Sequence, residues 1–225
     1  MWSALSTSPV ITLNGPDGFR IGSVGRAVGD QEIRVAEDRE VLVRGSNVMR
    51  GYYHLEHETA EALAGGWFHT GDVGELDADG FLTITDRKKD LLITSGGKNV
   101  APQPIENRLK LIPYVENAVV VGHRQRFVAA LIVPNYQALA DYATAHRIRF
   151  GSPSELLHSR DIYDLLMSEI EQRTQDFAPF EKVRKIAFLE QEFSIDSGDL
   201  TPTMKIRRSV IEKKYESTIN QLYAA

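Results

Sequence analysis

Residues 31–35 and 40–44 mix apolar and polar side chains as strands do, by alternation over 32–35 and as Val41-Leu42-Val43 between charged ends over 40–44. The charged turn Glu37-Asp38-Arg39 between the two runs predicts a hairpin. Ahead of it, Gly15-Pro16-Asp17-Gly18, Gly22, Gly25 and Gly29 punctuate short extended pieces. The period then changes: Leu55, Thr59, Ala62 and Leu63 share a face at helical spacing, which predicts a helix over 55–63. A strand–turn–strand follows, with Asp77-Ala78-Asp79-Gly80 turning into Phe81-Leu82-Thr83-Ile84-Thr85. At Asp86-Arg87-Lys88-Lys89-Asp90 the pattern stops for five consecutive charges. Five charges in a row cannot all be buried, so the run reads as a surface turn or a junction. It divides the chain into residues 1–88 and 89–225.

Past the junction, residues 91–94 form a short apolar run before the loop Ser95-Gly96-Gly97-Lys98-Asn99. Pro104 suits the first turn of a helix carrying Ile105 and Leu109 on one face. Residues 117–121 and 127–133 are apolar enough for buried strands, joined by Gly122-His123-Arg124-Gln125-Arg126. Helices are predicted over 135–146 and 153–175. The second opens with a capping box from Ser152 to Glu155 and repeats Leu156, Tyr163, Leu166, Met167 and Ile170 at helical spacing. Residues 185–189 read as a last strand. Residues 206–222 read as a final helix, with Ile211, Tyr215, Ile219 and Leu222 aligned. The fold class is α+β, with a β-rich piece before the junction and a mixed domain after it.

Composition narrows the chemistry. Twenty-six Lys and Arg against 31 Asp and Glu give a net charge of −5, which argues against nucleic acid as a partner. The absence of cysteine excludes disulfide scaffolds, thiolate metal sites and a cysteine nucleophile, so a thiol would have to arrive on a substrate. No apolar run approaches the ~18 residues of a membrane span, and residues 1–15 lack the basic start of a signal peptide. The expectation is a soluble, cytoplasmic protein.

Four places could carry chemistry. Lys205, in Thr201-Pro202-Thr203-Met204-Lys205-Ile206-Arg207-Arg208, sits behind a Thr/Pro turn with a basic helix expected directly after it. A compact, mobile ammonium there could meet a developing phosphate oxyanion, and the alternative is a solvated lysine near a helix start. In Thr70-Gly71-Asp72 a carboxylate beside a flexible glycine could accept two vicinal hydroxyls of a ribose, or Asp72 could close an Asx-type turn. Arg87 could reach a sugar or phosphate, whereas Lys88 and Lys89 read as solvated. Ser95-Gly96-Gly97-Lys98 lacks the spacing of a nucleotide-cradling P-loop, though its glycines could admit a long thin substrate. The six histidines are scattered and give no metal set and no Ser-His-Asp arrangement.

The order of these stretches resembles the adenylate-forming superfamily: acyl-CoA synthetases, peptide-synthetase adenylation domains and beetle luciferases. The matching segments are Gly66-Trp67-Phe68-His69-Thr70-Gly71-Asp72, the run from Gly80 through Asp90, the run from Ser95 through Glu106, and Pro202-Thr203-Met204-Lys205. The run from Glu40 to Tyr53 also fits, so the resemblance covers essentially the whole chain. Ala101-Pro102-Gln103-Pro104-Ile105-Glu106 looks like the version found in long-chain fatty acyl-CoA synthetases. The resemblance implies the end of a large AMP-binding domain, a distorted-barrel remnant, followed by a small mobile C-terminal domain with its hinge at Lys89. It implies that Asp72 binds the ribose of ATP or AMP and that Arg87 contacts the nucleotide. Gly96, Gly97 and Lys98 would then serve the CoA side, and Lys205 would be the catalytic lysine of adenylation. The implied substrates are a fatty acid, ATP with Mg2+, and CoA, with peripheral membrane contact compatible with a lipid substrate.

The family's Ser/Thr/Gly-rich phosphate loop is not in this chain. Nor does Tyr-Gly-x-Thr-Glu occur where residues 1–6 stand. The resemblance therefore implies the C-terminal portion of a larger ligase, inactive alone, whose acyl tunnel and Mg2+ ligands lie mostly elsewhere. Two alternatives are a non-catalytic module binding nucleotide, CoA or a partner, and part of a fatty acyl-AMP ligase that hands its acyl group to a carrier protein. The Gln103-Pro104-Ile105-Glu106 version favours CoA.

Overall fold

The computed structural model describes residues 1–16 and 18–224, so Asp17 of the first expected turn lies outside the described residues. The chain separates into two compact units, Met1–Lys89 and Asp90–Ala225.

In the first unit, β1 (Trp2–Ser3), β2 (Val10–Leu13) and β3 (Arg26–Ala27) form an antiparallel sheet in the order β1-β2-β3. A second antiparallel sheet runs β4 (Glu32–Val35), β5 (Glu40–Arg44), β6 (Phe68–Leu76), β7 (Leu82–Arg87), with α1 (Glu56–Ala62) between β5 and β6. The two runs give the β4–β5 hairpin in the register Glu32↔Arg44 to Val35↔Val41. Burial on β5 is continuous: Glu40, Val41, Leu42 and Val43 are all buried, so neither face of the strand is open to solvent there. The two sheets are stitched by Val24 N–H to the Leu82 carbonyl (2.8 Å) and Leu82 N–H to the Gly25 carbonyl (2.9 Å). Gly25 has φ +100°, and a Cβ there would stand 2.0 Å from the Leu13 carbonyl carbon, so only glycine permits this seam. The charged run is not wholly a turn. Asp86 and Arg87 complete β7, and a 3-10 turn covers Lys88–Asp90.

The second unit begins with the hairpin β8 (Leu92–Ile93) and β9 (Asn99–Val100), then α2 (Pro102–Leu109). Its main sheet has the order β10-β11-β12, from β10 (Val115–Val121), β11 (Val128–Pro134) and β12 (Val183–Phe188). The β10–β11 pair is antiparallel and β11–β12 parallel. A parallel partner requires a crossover. It is supplied by α3 (Tyr136–Ala145), α4 (Pro153–Leu157) and α5 (Arg160–Arg173). Every residue of β11 is buried. Val128, Ala130 and Ile132 pack with Ile105, Leu109, Leu139 and Leu166 on one face. Ala129, Leu131 and Val133 pack on the other with residues of α6 (Arg208–Lys214) and α7 (Glu216–Tyr223). Helices on both faces explain the unbroken apolar runs of β10 and β11.

Two expected helices are each divided. Residues 153–175 give α4, capped by Ser152 Oγ accepting from Glu155 N–H, and then α5, because Ser159 adopts an extended ψ of 133°. Residues 206–222 give α6 and α7, which part at Tyr215. Among the described residues no helix is long and apolar enough to cross a membrane.

Candidate functional site

Antiparallel pairing of β6 with β7 sets Asp72 directly across from Arg87, so two residues fifteen positions apart become an ion pair, Arg87 Nε to Asp72 Oδ1, 2.7 Å. Asp72 is buried, and its side chain does not close an Asx turn. Its other oxygen, Oδ2, accepts from the indole Nε1 of Trp2 at 2.9 Å, and Thr70 Oγ1 accepts its main-chain N–H at 3.1 Å. A carboxylate has about four lone-pair positions, so two donors leave capacity for two more. The Arg87 side chain remains more than half exposed. Beside the pair opens a pocket of about 360 Å³ lined by Gly71, Arg87, Lys88 and Lys89. Gly71, at φ +68°, makes the backbone turn that brings the strand to this opening.

Beneath the pair lies a group that local sequence gave no reason to select. Glu40, buried at the start of β5, accepts from Gly71 N–H (3.0 Å) and Lys88 Nζ (2.8 Å), with His69 Nδ1 at 3.0 Å. Lys88 also reaches Asp38 at 2.7 Å. Lys88 is therefore not the solvated residue its spacing suggested: two carboxylates within reach of its ammonium hold it. Burial pushes the Glu40 carboxyl up, but the bonds from Lys88, His69 and Gly71 outweigh it and leave the pKa below the ordinary 4.5. The Lys88 bond likewise lowers Asp38, and the bonds to Asp38 and Glu40 raise Lys88.

In the second unit Lys205 does not stand directly before a helix. Leu200 bridges Ile206, Thr201 N–H donates to the Lys205 carbonyl (2.8 Å), and Arg207 N–H donates to the Asp199 carbonyl (2.8 Å). Thr201 Oγ1 also accepts from Lys205 N–H at 3.0 Å. The result is a tight hairpin with Pro202 and Thr203 at its tip and Met204 at φ +61°, and α6 begins only at Arg208. Lys205 is exposed, and no described residue bonds its ammonium. The cations around it are tied down. Arg207 reaches the Gly198 carbonyl, Arg208 reaches Glu106 and the Val120 carbonyl, and Lys214 reaches the fully buried Asp199.

The Gly96-Gly97-Lys98 loop closes the β8–β9 hairpin and is exposed throughout. Its Gly97 and Lys98 amides donate inward to Thr94, which speaks against a phosphate cradle. Ser95 N–H and the Ile93 carbonyl bond Gln125 and Arg124 of the β10–β11 connection, and Lys98 lies over the Phe180 ring. Among the described residues no group of three or more His, Asp or Glu side chains could hold a metal ion.

The family model described as the AMP-binding enzyme C-terminal domain matches residues 89–225. The chain belongs to the AMP-binding enzymes. Among its relatives, the long-chain-fatty-acid–CoA ligase FadD15 of Mycobacterium tuberculosis is 39% identical over 96% of the chain and 36% of its own length. The long-chain-fatty-acid–CoA ligase ACSBG1 of Bos taurus is 36% identical over 94% of the chain and 32% of its own length. The chain thus spans about a third of the length of these relatives. Among solved structures, the A-PCP didomain of carboxylic acid reductase from Segniliparus rugosus in complex with AMP superposes with TM-score 0.74 at 22% identity, over 99% of this chain and 30% of that one. The anthranilate CoA ligase AuaEII in complex with anthranoyl-AMP gives 0.67 at 22% identity, over 96% and 40%. These likenesses bear out the α+β adenylate-forming fold.

Proposed function

We propose that this chain is the C-terminal part of an ATP-dependent, AMP-forming fatty acid–CoA ligase acting on long-chain fatty acids. The observation that carries the reading is the Asp72–Arg87 pair. A buried carboxylate with lone pairs to spare offers acceptors to a ribose diol, and a half-exposed guanidinium at the mouth of the 360 Å³ pocket offers donors to a phosphate. In the first half-reaction a fatty carboxylate oxygen attacks the α-phosphorus of ATP. The bond to pyrophosphate breaks, and acyl-AMP forms. Lys205 supplies a cation to the charge that develops on the α-phosphate. In the second, the CoA sulfur attacks the acyl carbonyl, the carbon–oxygen bond to AMP breaks, and the thiol proton passes to solvent. That thiol comes from the substrate, in keeping with a chain without cysteine.

Lys89, where the two units meet in sequence, would be the hinge. Rotation there exchanges Lys205 for the Gly96-Gly97-Lys98 loop between half-reactions. Among the described residues no group fits a metal site, so Mg2+ would enter as the ATP complex. The lipid substrate would bring a cytoplasmic enzyme to the membrane periphery.

The test separates the half-reactions. The 225-residue chain incubated with palmitate, ATP and CoA should form no acyl-CoA, and robust turnover would refute the need for further residues. In the complete ligase, Lys205→Ala should abolish pyrophosphate exchange yet spare acyl transfer from supplied acyl-AMP to CoA. Equal loss of both steps would remove the role given to Lys205.

A further inference from the structure

Among the described residues β10 is an edge strand, paired only with β11, so main-chain groups on its outer side have no strand partner there. At Val120 two side chains take that place. Val120 N–H donates to Glu106 Oε1 at 2.8 Å, and the Val120 carbonyl accepts from Arg208 Nη1 at 2.7 Å. Arg208 Nη2 closes the triangle on the same Glu106 oxygen at 2.6 Å. Glu106 is 2% exposed, and the Arg208 side chain 15%. One guanidinium fork therefore reads a main-chain oxygen and a carboxylate together, a geometry a lysine cannot reproduce in full.

Stability alone is a poor account of this arrangement. Desolvating two charges offsets much of their attraction, and a buried ion pair can often be replaced by apolar groups at little cost. Arg208 is also the first residue of α6, the end of a helix where a cation is disfavoured, and the first turn holds no acidic residue. What the pair does achieve is registration. Arg208 lies three residues beyond Lys205, and the Leu200–Ile206 bridge and the Arg207–Asp199 bond take up the intervening chain. The opposite leg of the hairpin is fixed in the same manner, with Asp199 Oδ2 accepting from Lys214 Nζ (2.9 Å) and Ser197 Oγ (2.6 Å).

We propose that Arg208 and Glu106 are positioning residues for Lys205, locking the hairpin to the edge of β10 so that an otherwise unrestrained ammonium stands in one place. This rests on the reading of Lys205 as the adenylation lysine. In the complete ligase, Arg208→Met, Arg208→Lys and Glu106→Gln are compared with Lys205→Ala in both half-reactions. Displacing a reacting group by about 1 Å can cost on the order of 100-fold. Arg208→Met should therefore slow pyrophosphate exchange by about 100-fold in kcat, with KM for ATP and acyl transfer from acyl-AMP unchanged. Arg208→Lys, which keeps one donor, should recover part of the loss. If Arg208→Met fails to fold, Glu106→Gln carries the same expectation, since it keeps the shape and an acceptor for Val120 N–H. Parallel loss of both half-reactions with a lowered melting temperature would make the pair structural only and overturn the proposal. So would unchanged pyrophosphate exchange in Arg208→Met while Lys205→Ala abolishes it. If Lys205→Ala itself leaves exchange intact, the reading of Lys205 fails, and the proposal with it.

Discussion

The candidate-site cations of the two units are held in opposite ways. In Met1–Lys89, Arg87 and Lys88 lie against Asp72, Asp38 and Glu40, each already paired before any ligand arrives. In Asp90–Ala225, Lys205 has no such partner among the described residues, and order resides instead in the main chain of its hairpin. The contrast fits the two tasks proposed for these residues. A site that holds one part of a ligand throughout can be pre-paired, because a carboxylate has acceptor positions left over. A cation meant for charge that appears only at the transition state is weakened by a resident counter-ion, so its position has to come from the backbone beneath it.

The contrast would break first at Lys205. Lys205→Ala in the complete ligase should lower pyrophosphate exchange by about 1000-fold while calorimetry shows an unchanged melting temperature. A large loss of stability would mean that the ammonium is a structural partner after all. Glu40→Ala should do the reverse. It leaves the Gly71 N–H and the Lys88 ammonium without a buried acceptor, at a cost of about 3 kcal/mol, read by chemical denaturation of the first unit. Trp2 and Trp67, the two tryptophans of the chain, both lie there and report on that unit alone. The smallest effect is on acid stability. Glu40 and Asp38 have folded pKa values below their ordinary 4.5 and 3.8, so their contribution is complete above those values and is lost as pH falls through the lowered ones. Lys88, raised above 10.5, contributes fully below that value and loses its contribution only as pH rises through the higher folded one. Tryptophan fluorescence should therefore show a plateau from about pH 5 upward and a fall below pH 4 that Glu40→Gln makes shallower.

Much of this was legible along the chain. Asp72, Arg87 and Lys205 each stand in a short motif whose neighbours, Thr70, Gly71 and Thr201, make the local turns and bonds. The apolar runs of β10 and β11 announced strands covered on both sides. Glu40 was hidden because its partners lie 29, 31 and 48 residues away, and side-chain period carries no information about such distances. Its one signal was position: a carboxylate opening a strand whose next three residues are aliphatic. The divided helices were hidden for another reason. Tyr215 keeps the apolar spacing through the α6–α7 break, so the stripe continues where the backbone, at φ −108° and ψ 23°, leaves the helix.

The strand β11, buried on both faces along its whole length, has a consequence for how this domain can vary. It offers no surface on which a new ligand could be read, and neither do the inner faces of the helices that cover it. Sequence change that alters what the domain does is thereby pushed to its surface, which includes the loop at residues 94–98, the connection at 122–126 and the hairpin at 199–207. The interior can drift among aliphatic residues of similar volume without altering the chemistry, while a handful of surface positions can redirect it.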